Sequence, residues 1–392
     1  MKQYAIIMAS YWAFTVSDGA LRMLVVLYFH QLGYSPLEIA SLFIFYEFFG
    51  VVTNLVGGWM AARMGLASTL FVGLILQIVA LSMLTIDPSL LTIPYVILAQ
   101  ALSGIAKDLN KLSAKSGVKV LLPQEADGQL YRWVSALTGS KNALKGAGFF
   151  LGGVLLASVG FQAAVGLLVL ALGAVTIASF IFIDRSLGKT SFKARFSDLM
   201  SKSAPVNCLS GARFFLFGAR DVWFVIAVPV YLQTELHWSP TAVGTLLALW
   251  IIGYGAIQAV SPWITGVRTG QPPGGRSAVG WGCCLTLIPL LILVIPPMGP
   301  DPQVVLVGGL MAFGAVFAVN SAIHSYLIVA YAERDGVTLD VGFYYMSNAA
   351  GRLLGTILSG LLYQQYGLPA CLIASTLMVA MASAISMALP AD

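Results

Sequence analysis

Charge is scarce in this sequence. Asp, Glu, Lys and Arg make up 9% of its 392 residues, while apolar types make up 58%. A soluble domain carries about 25% charged residues, and a water-exposed rim needs polar groups. The scarcity excludes an ordinary soluble protein and points to lipid as the solvent. Cysteine is scarce as well. Cys208, Cys283, Cys284 and Cys371 show no C-x-x-C spacing and no neighbouring histidine cluster, which argues against a zinc or redox site and leaves them as small apolar fillers. No phosphate-cradling P-loop is present, so no nucleotide motor is read, and no serine or histidine stands in a recognisable triad. The expectation is therefore a protein that is not an enzyme and carries no cofactor and no metal. No cleavable leader is expected either. After Met1-Lys2-Gln3 the chain enters an apolar stretch, Tyr4 to Leu32, longer than the about 7–15 residues of a signal-peptide core.

What is present is a succession of apolar stretches. A membrane span needs about 20 apolar residues. Breaks fall at Gly33–Pro36, Arg63–Gly65, Asp87–Thr92, Lys111–Arg132, Gly160–Gln162, Asp184–Val206, Leu236–Pro240, Gly266–Arg276, Pro296–Gln303, Glu333–Asp340 and Gln364–Gly367. Eleven breaks predict twelve transmembrane helices, an all-α membrane protein. If the N-terminus is cytoplasmic, the inner segments hold Lys2, Arg63, Lys111, Lys115, Lys119, Arg132, Arg185, Lys189, Lys193, Arg195, Lys202, Arg268, Arg276 and Arg334, and the outer loops hold no basic residue. Such asymmetry predicts that both termini are inside. It also accounts for the net charge of +5 without invoking nucleic acid.

The chain repeats itself. Leu32, Ser35, Pro36, Leu42, Val56 and Trp59 recur 204 positions later as Leu236, Ser239, Pro240, Leu246, Val260 and Trp263. At an offset of 207, Ser140, Lys145, Gly148, Gly153, Leu155 and Gly160 align with Ser347, Arg352, Gly355, Gly360, Leu362 and Gly367. The expected domains are a six-helix half, 1–183, a basic cytoplasmic linker, 184–206, and a second six-helix half, 207–392. A parallel repeat of six-span halves resembles the major facilitator superfamily. The loop after the second span resembles that superfamily's glycine-acid-arginine-glycine motif at Gly58, Arg63 and Gly65. Ala62 stands where the acid is usual, so the motif's gating ion pair is not carried over.

Seven basic residues remain inside or at the edge of spans: Arg22, Lys107, Lys141, Lys145, Arg213, Arg220 and Arg352. Four acids share that environment: Asp18, Glu47, Asp108 and Asp221. Each charge at a helix centre costs at least about 2.5–3.5 kcal/mol, so it survives only if paired or facing a wet cavity. At 1.5 Å per residue, Asp18, Glu47, Lys145, Arg220, Asp221 and Arg352 fall within about 6 Å of their span midpoints. Arg213 lies nearer a span end and is expected to snorkel. Asp18 and Arg22 could pair locally at i, i+4, and Lys107-Asp108 with Lys111 could form an interfacial cluster. Pairing alone cannot neutralise the excess of cations, so an anion is expected to complete the site. Lys145 and Arg352 hold matching repeat positions and suit a ligand anionic at both ends. Arginine offers a planar fork for phosphate, arsenate or carboxylate, and lysine a point charge. Gly146, Gly148, Gly152, Gly153, Gly351, Gly355 and Gly360 are spaced for close helix approach.

In the superfamily the first, fourth, seventh and tenth spans line the central cavity. This resemblance adds Asn320 and His324 of the tenth span to Arg22, Lys107, Lys141, Lys145, Arg220 and Arg352 as candidate substrate-binding residues. Asp18, Glu47, Asp108 and Asp221 are the candidate proton-coupling or ion-pair acids, with His324 as the group of near-neutral intrinsic pKa. Several stretches carry a narrower resemblance: Ser17-Asp18-Gly19-Ala20-Leu21-Arg22-Met23-Leu24, Gly104 to Lys111 with Ser113 to Ser116, Thr138 to Gly146, and Gly211 to Trp223. Together they are similar to the ArsJ-type organoarsenical efflux permeases. That resemblance implies export of 1-arseno-3-phosphoglycerate across a bacterial inner membrane. The substrate would be supplied by a glyceraldehyde-3-phosphate dehydrogenase that uses arsenate. An organophosphate or phosphate exchanger of the same fold is the alternative.

Overall fold

The computed structural model describes residues 2–34, 42–121, 127–184, 203–238, 240–265, 272–333 and 336–390. The linker residues 185–202, Arg268, Arg334 and the repeat positions Ser35, Pro36 and Ser239 lie outside the described residues. Among the described residues the regular structure is helical: α1 (Lys2–Gln31), α2 (Ile44–Met64), α3 (Leu66–Met83), α4 (Ile93–Leu121), α5 (Asp127–Val159), α6 (Phe161–Phe182), α7 (Ala204–Phe224), α8 (Ala227–Thr234), α9 (Pro240–Ile264), α10 (Gly275–Val294), α11 (Pro302–Tyr331) and α12 (Val337–Ser386). Between α3 and α4 a short 3-10 turn, Pro88–Leu90, is capped by Asp87, which accepts from the Ser89 backbone N–H and hydroxyl at 2.9 and 2.6 Å. These bonds hold its carboxyl below the usual carboxylate range.

Nine helical stretches among the described residues are long and apolar enough to cross a bilayer, with α7 and α8 together forming one, Ala204–Thr234. The two exceptions are α2 and α4, the charge-bearing helices with Glu47 and with Lys107-Asp108. The 50-residue α12 is about 75 Å long at 1.5 Å per residue, enough for two crossings of a core about 30 Å thick. Gly367 divides it at φ 72°, ψ −170°. Adding α2 and α4 and counting both arms of α12 gives the twelve spans expected. Gly160, which joins α5 to α6, has φ 78°, ψ 177°, nearly the same backbone as Gly367. Only glycine adopts this region without strain, so the 207-residue offset marks a repeated turn. The outward faces agree with a lipid solvent. On α5 and α6, Phe150, Leu170, Ile177, Ile181 and Phe182 are all exposed, an apolar display that soluble monomers avoid.

The fourth break is shorter than the sequence suggests. α4 runs on to Leu121 and α5 begins at Asp127, so Lys111 and Lys115 are buried helical residues rather than loop residues. The reason is the partners these lysines find inside the protein. Lys111 donates to Asp108 at 2.6 Å and lies over the Tyr345 ring at 4.4 Å, while Lys119 donates to the Ala332 carbonyl. Cations with partners inside the protein need not end a helix.

Packing divides the chain into two compact units. The first comprises Met1–Gln124, Ser140–Ser201 and Ala332–Met346; the second comprises Glu125–Gly139, Lys202–Tyr331 and Ser347–Asp392. Thus α5 and α12 each give one part to either unit, a division that differs from the sequence halves 1–183 and 207–392. Within the first unit α4 packs on α2 and α3, and α1 on α4 and α6. Within the second, α11 packs on α7, α9 and α10 around an aromatic core of Trp223, Trp250, Phe313 and Phe317.

Candidate functional site

In the first unit, α1, α2 and α4 converge on Tyr46. Its hydroxyl donates to the buried Asp18 carboxylate, 2.9 Å from each oxygen. Ser103 of α4 approaches the same carboxylate at 3.4 Å and donates to Gln77 at 2.8 Å. The Tyr46 ring carries the Arg22 guanidinium at 4.6 Å and the Lys107 ammonium at 3.8 Å, so one aromatic ring serves two cations. Gly104 sets this up. A β-carbon there would lie 2.6 Å from the Tyr46 carbonyl oxygen, so α4 presses against Tyr46 and Lys107 follows one turn later. Arg22 pairs with Glu47 at 3.3 Å, not with Asp18 in the local i, i+4 pair. Tyr46 and Ser103 already occupy Asp18.

Asp108 binds Lys111, but the pair is buried rather than interfacial, and Asp108 Oδ2 has no hydrogen-bond partner among the described residues. Lys141 and Lys145 are half-buried on α5. The Lys145 ammonium makes no ion pair among the described residues. It lies 5.7 Å from the centre of the Phe149 ring. Lys107 likewise has a ring, and no carboxylate among the described residues lies within ion-pair distance.

The second unit handles charge differently. Asp221 is fully buried. Arg220 Nε donates to Oδ1 at 2.5 Å and Arg352 Nε donates to Oδ2 at 3.1 Å. Arg352 therefore has a carboxylate at ion-pair distance, which Lys145 does not have among the described residues. Arg213 does not snorkel. It is buried, with Nη1 donating to the Ser321 carbonyl at 3.2 Å and hydroxyl at 3.1 Å, and its guanidinium 3.9 Å over Phe217. A hydrogen-bonded carbonyl and an aromatic face replace the water it would otherwise seek. Tyr254 and Gln258 of α9 meet the same Ser321 hydroxyl at 3.1 and 3.2 Å. Asn320 and His324 flank it on α11, both buried, and among the described residues Asn320 Oδ1 and His324 Nδ1 have no hydrogen-bond partner.

Close helix crossings hold both arrangements. A β-carbon on Gly148 would lie 2.5 Å from the Val16 carbonyl oxygen and 3.1 Å from Gly19 Cα. One on Gly355 would lie 2.5 Å from the Gly218 carbonyl oxygen and 3.1 Å from Asp221 Cβ. Gly152 and Gly351 are also tight against backbone, whereas Gly153 and Gly360 meet only side-chain ends at 3.9 and 3.7 Å. The expected glycine spacing thus divides into crossing positions and ordinary ones.

Sequence reasoning did not single out Tyr46, Ser103 or the buried state of Lys111 and Lys115. The Tyr46-Glu47 dipeptide inside an otherwise apolar aromatic run was the available signal for the first. Tyr254, Gln258 and Ser321 carried none, being isolated polar residues in apolar helices.

The family model of the Major Facilitator Superfamily matches residues 209–392. No curated protein matches the sequence. Among solved structures, a bacterial homologue of the iron transporter ferroportin in its outward-facing state is similar at TM-score 0.79, with 12% identity over 99% of each chain. The human organic anion transporter MFSD10 is similar at 0.75, with 15% identity over 98% of this chain and 99% of that one. The Escherichia coli fucose:proton symporter FucP is similar at 0.73, with 10% identity over 98% of each. The twelve-helix chain therefore has the major facilitator fold.

Proposed function

We propose that this chain is a secondary transporter of a small organic anion, and that its substrate is 1-arseno-3-phosphoglycerate, exported by alternating access with proton coupling. The observation that carries the reading is that two cations of the first unit lack an ion pair among the described residues. Lys107 and Lys145 lie in membrane-spanning helices with no carboxylate at ion-pair distance among the described residues. Such charge is costly unless an anion completes it. The fold supports a carrier but does not select the substrate, since the similar structures are described as those of an organic anion transporter, an iron transporter homologue and a sugar symporter. The choice of an arsenic-bearing ester rests on the resemblance of the charged stretches of α1, α4, α5 and α7 to the organoarsenical permeases. An organophosphate or phosphate exchanger would use the same cations.

On this reading Lys107, Lys141 and Lys145 with Arg22 are the first unit's candidates to meet the oxyanions, and Asn320 and His324 are the second unit's candidate polar groups. Asp18, Glu47, Asp108 and Asp221 are the candidate proton-coupling or ion-pair acids, one of which would carry the coupling proton. The protein would reside in the bacterial inner membrane with both termini in the cytoplasm. The decisive experiment expresses the chain in arsenate-sensitive bacteria with and without an arsenate-using glyceraldehyde-3-phosphate dehydrogenase. Tolerance that appears only with both, and that a proton ionophore lowers, is the expected result. Tolerance independent of the dehydrogenase, or phosphate exchange without arsenate export, overturns the arsenic assignment in favour of the alternative.

A further inference from the structure

The helix crossings give a residue-by-residue correspondence between the two units. Val16 and Gly218 hold the same place, each with its carbonyl against the crossing glycine of the partner helix, Gly148 or Gly355. Three residues on, Gly19 Cα and Asp221 Cβ each stand 3.1 Å from where a β-carbon on Gly148 or Gly355 would lie. On the partner helices Lys145 lies three residues before Gly148, and Arg352 three before Gly355. Hence Lys145 corresponds to Arg352, and Gly19 corresponds to Asp221.

The second unit closes this position upon itself with the Asp221–Arg352 pair at 3.1 Å. The first unit has no side chain where the carboxylate would be. Its nearby acid, Asp18, is displaced by one residue, which turns it by about 100° around the helix. Asp18 accordingly faces Tyr46 and Ser103 on α2 and α4, and Lys145 is left without it. A β-carbon on Gly19 would lie 2.8 Å from the Lys145 carbonyl oxygen, so this helix contact excludes an internal acid at that point.

We infer that Lys145 is the principal anion-holding residue, its internal counter-charge replaced by an oxyanion group of the ligand, and that Asp221 is the second unit's built-in equivalent of that anion. This rests on the anion-transport reading above and narrows it: Lys145 and Arg352, although repeat-related, are not two equal ends of one ligand clamp. The ligand class is a singly or doubly charged phosphate, arsenate or carboxylate group, met by an ammonium as a point charge.

The test is calorimetric binding of 3-phosphoglycerate, and separately of inorganic arsenate, to the full-length protein in detergent. Lys145→Gln should weaken binding by at least about 30-fold, the lower end expected when one partner of a charged contact is removed. Arg352→Gln should weaken it by no more than about threefold, because Asp221 rather than the ligand is what Arg352 holds. Asp221→Asn, which frees two arginines, should strengthen anion binding. Lys145→Met, closer to the lysine stem in shape, replaces the Gln variant if that one does not insert. A wild-type protein that binds neither probe overturns the anion-transport reading itself. Wild-type binding with equal losses for the Lys145 and Arg352 variants overturns only the assignment to Lys145.

Discussion

In the second unit a fully buried carboxylate, Asp221, lies between Arg220 and Arg352. In the first, the corresponding helix position is Gly19, and the corresponding cation, Lys145, lies 5.7 Å from the Phe149 ring and makes no ion pair among the described residues. Both units nevertheless cross their helices in the same way, through Gly148 on Val16 and Gly355 on Gly218. The repeated part of the chain is the close-packed crossing, whose glycines are fixed by backbone contact. The charges mounted on it have diverged. A repeat duplicates packing more faithfully than chemistry, so equivalence of position does not establish equivalence of role.

The largest effect that would break this comparison is expected at Asp221. Replacing it by Ala leaves two arginines without their shared anion, and removing one partner of a buried ion pair costs about 3–5 kcal/mol. Asp18→Asn should cost far less, about 1–2 kcal/mol, because the Tyr46 hydroxyl can still donate to an amide oxygen. Thermal unfolding of both variants in detergent measures the difference. Equal destabilisation would mean that Asp18 also neutralises a cation that the geometry does not assign to it.

Next come the crossing glycines. Gly148→Ala and Gly355→Ala each drive a methyl to 2.5 Å from a carbonyl oxygen. Since the obstacle is backbone, each should cost about 1–3 kcal/mol through overpacking. Gly153→Ala, whose nearest neighbour is a Leu27 methyl at 3.9 Å, should be neutral to unfolding and to transport. If Gly153→Ala were as damaging as Gly148→Ala, a contact outside the static crossing would be needed, formed in another state of the transport cycle.

An effect of similar size is expected at Tyr46. Tyr46→Phe keeps the ring beneath Arg22 and Lys107 but removes the donor to Asp18. It should cost about 1–3 kcal/mol, the penalty for leaving a buried acceptor unsatisfied. Tyr46→Leu should cost more, because both cations also lose their aromatic face. Stability of the two variants measured side by side separates the hydroxyl from the ring, and equal losses would show that the ring contributes nothing.

These contrasts mark what the sequence made legible. Spans, their number and the paired turns at Gly160 and Gly367 follow from long apolar runs and from glycine's access to positive φ, both of which leave local signatures. The intramembrane charges were equally legible, because each interrupts an apolar run. Their partners were not. Whether Asp18 meets Arg22 or Tyr46, and whether Arg352 meets an acid at all, depends on how helices far apart in sequence rotate against one another. The loop placement of Lys111 and Lys115 failed for the same reason: Tyr345, 234 residues beyond Lys111, is part of what lets Lys111 stay in the helix.

The smallest effect should come from the cysteines, and it sharpens the comparison from the opposite side. All four belong to the second unit. Cys283 and Cys284 are exposed on α10, Cys371 is buried beside the Ser359 carbonyl, and Cys208 is half-buried on α7. Among the described residues no group of three His, Cys, Asp or Glu side chains could hold a metal ion. If arsenic were recognised by sulfur, recognition would have to reside in this unit. If it is recognised through its oxygens, as a pentavalent ester requires, the cations of the first unit suffice and thiols are irrelevant. Replacing Cys208, Cys283 and Cys284 by Ser and Cys371 by Ala should therefore leave dehydrogenase-dependent arsenate tolerance within about twofold of the parent. Stability should fall by no more than about 1–2 kcal/mol, from the small cavity at Cys371. Arsenite tolerance should be unaffected by the chain with or without its cysteines. A cysteine-free protein that inserts normally yet loses export tenfold would move arsenic recognition to the second unit and leave Lys145 without its assigned role.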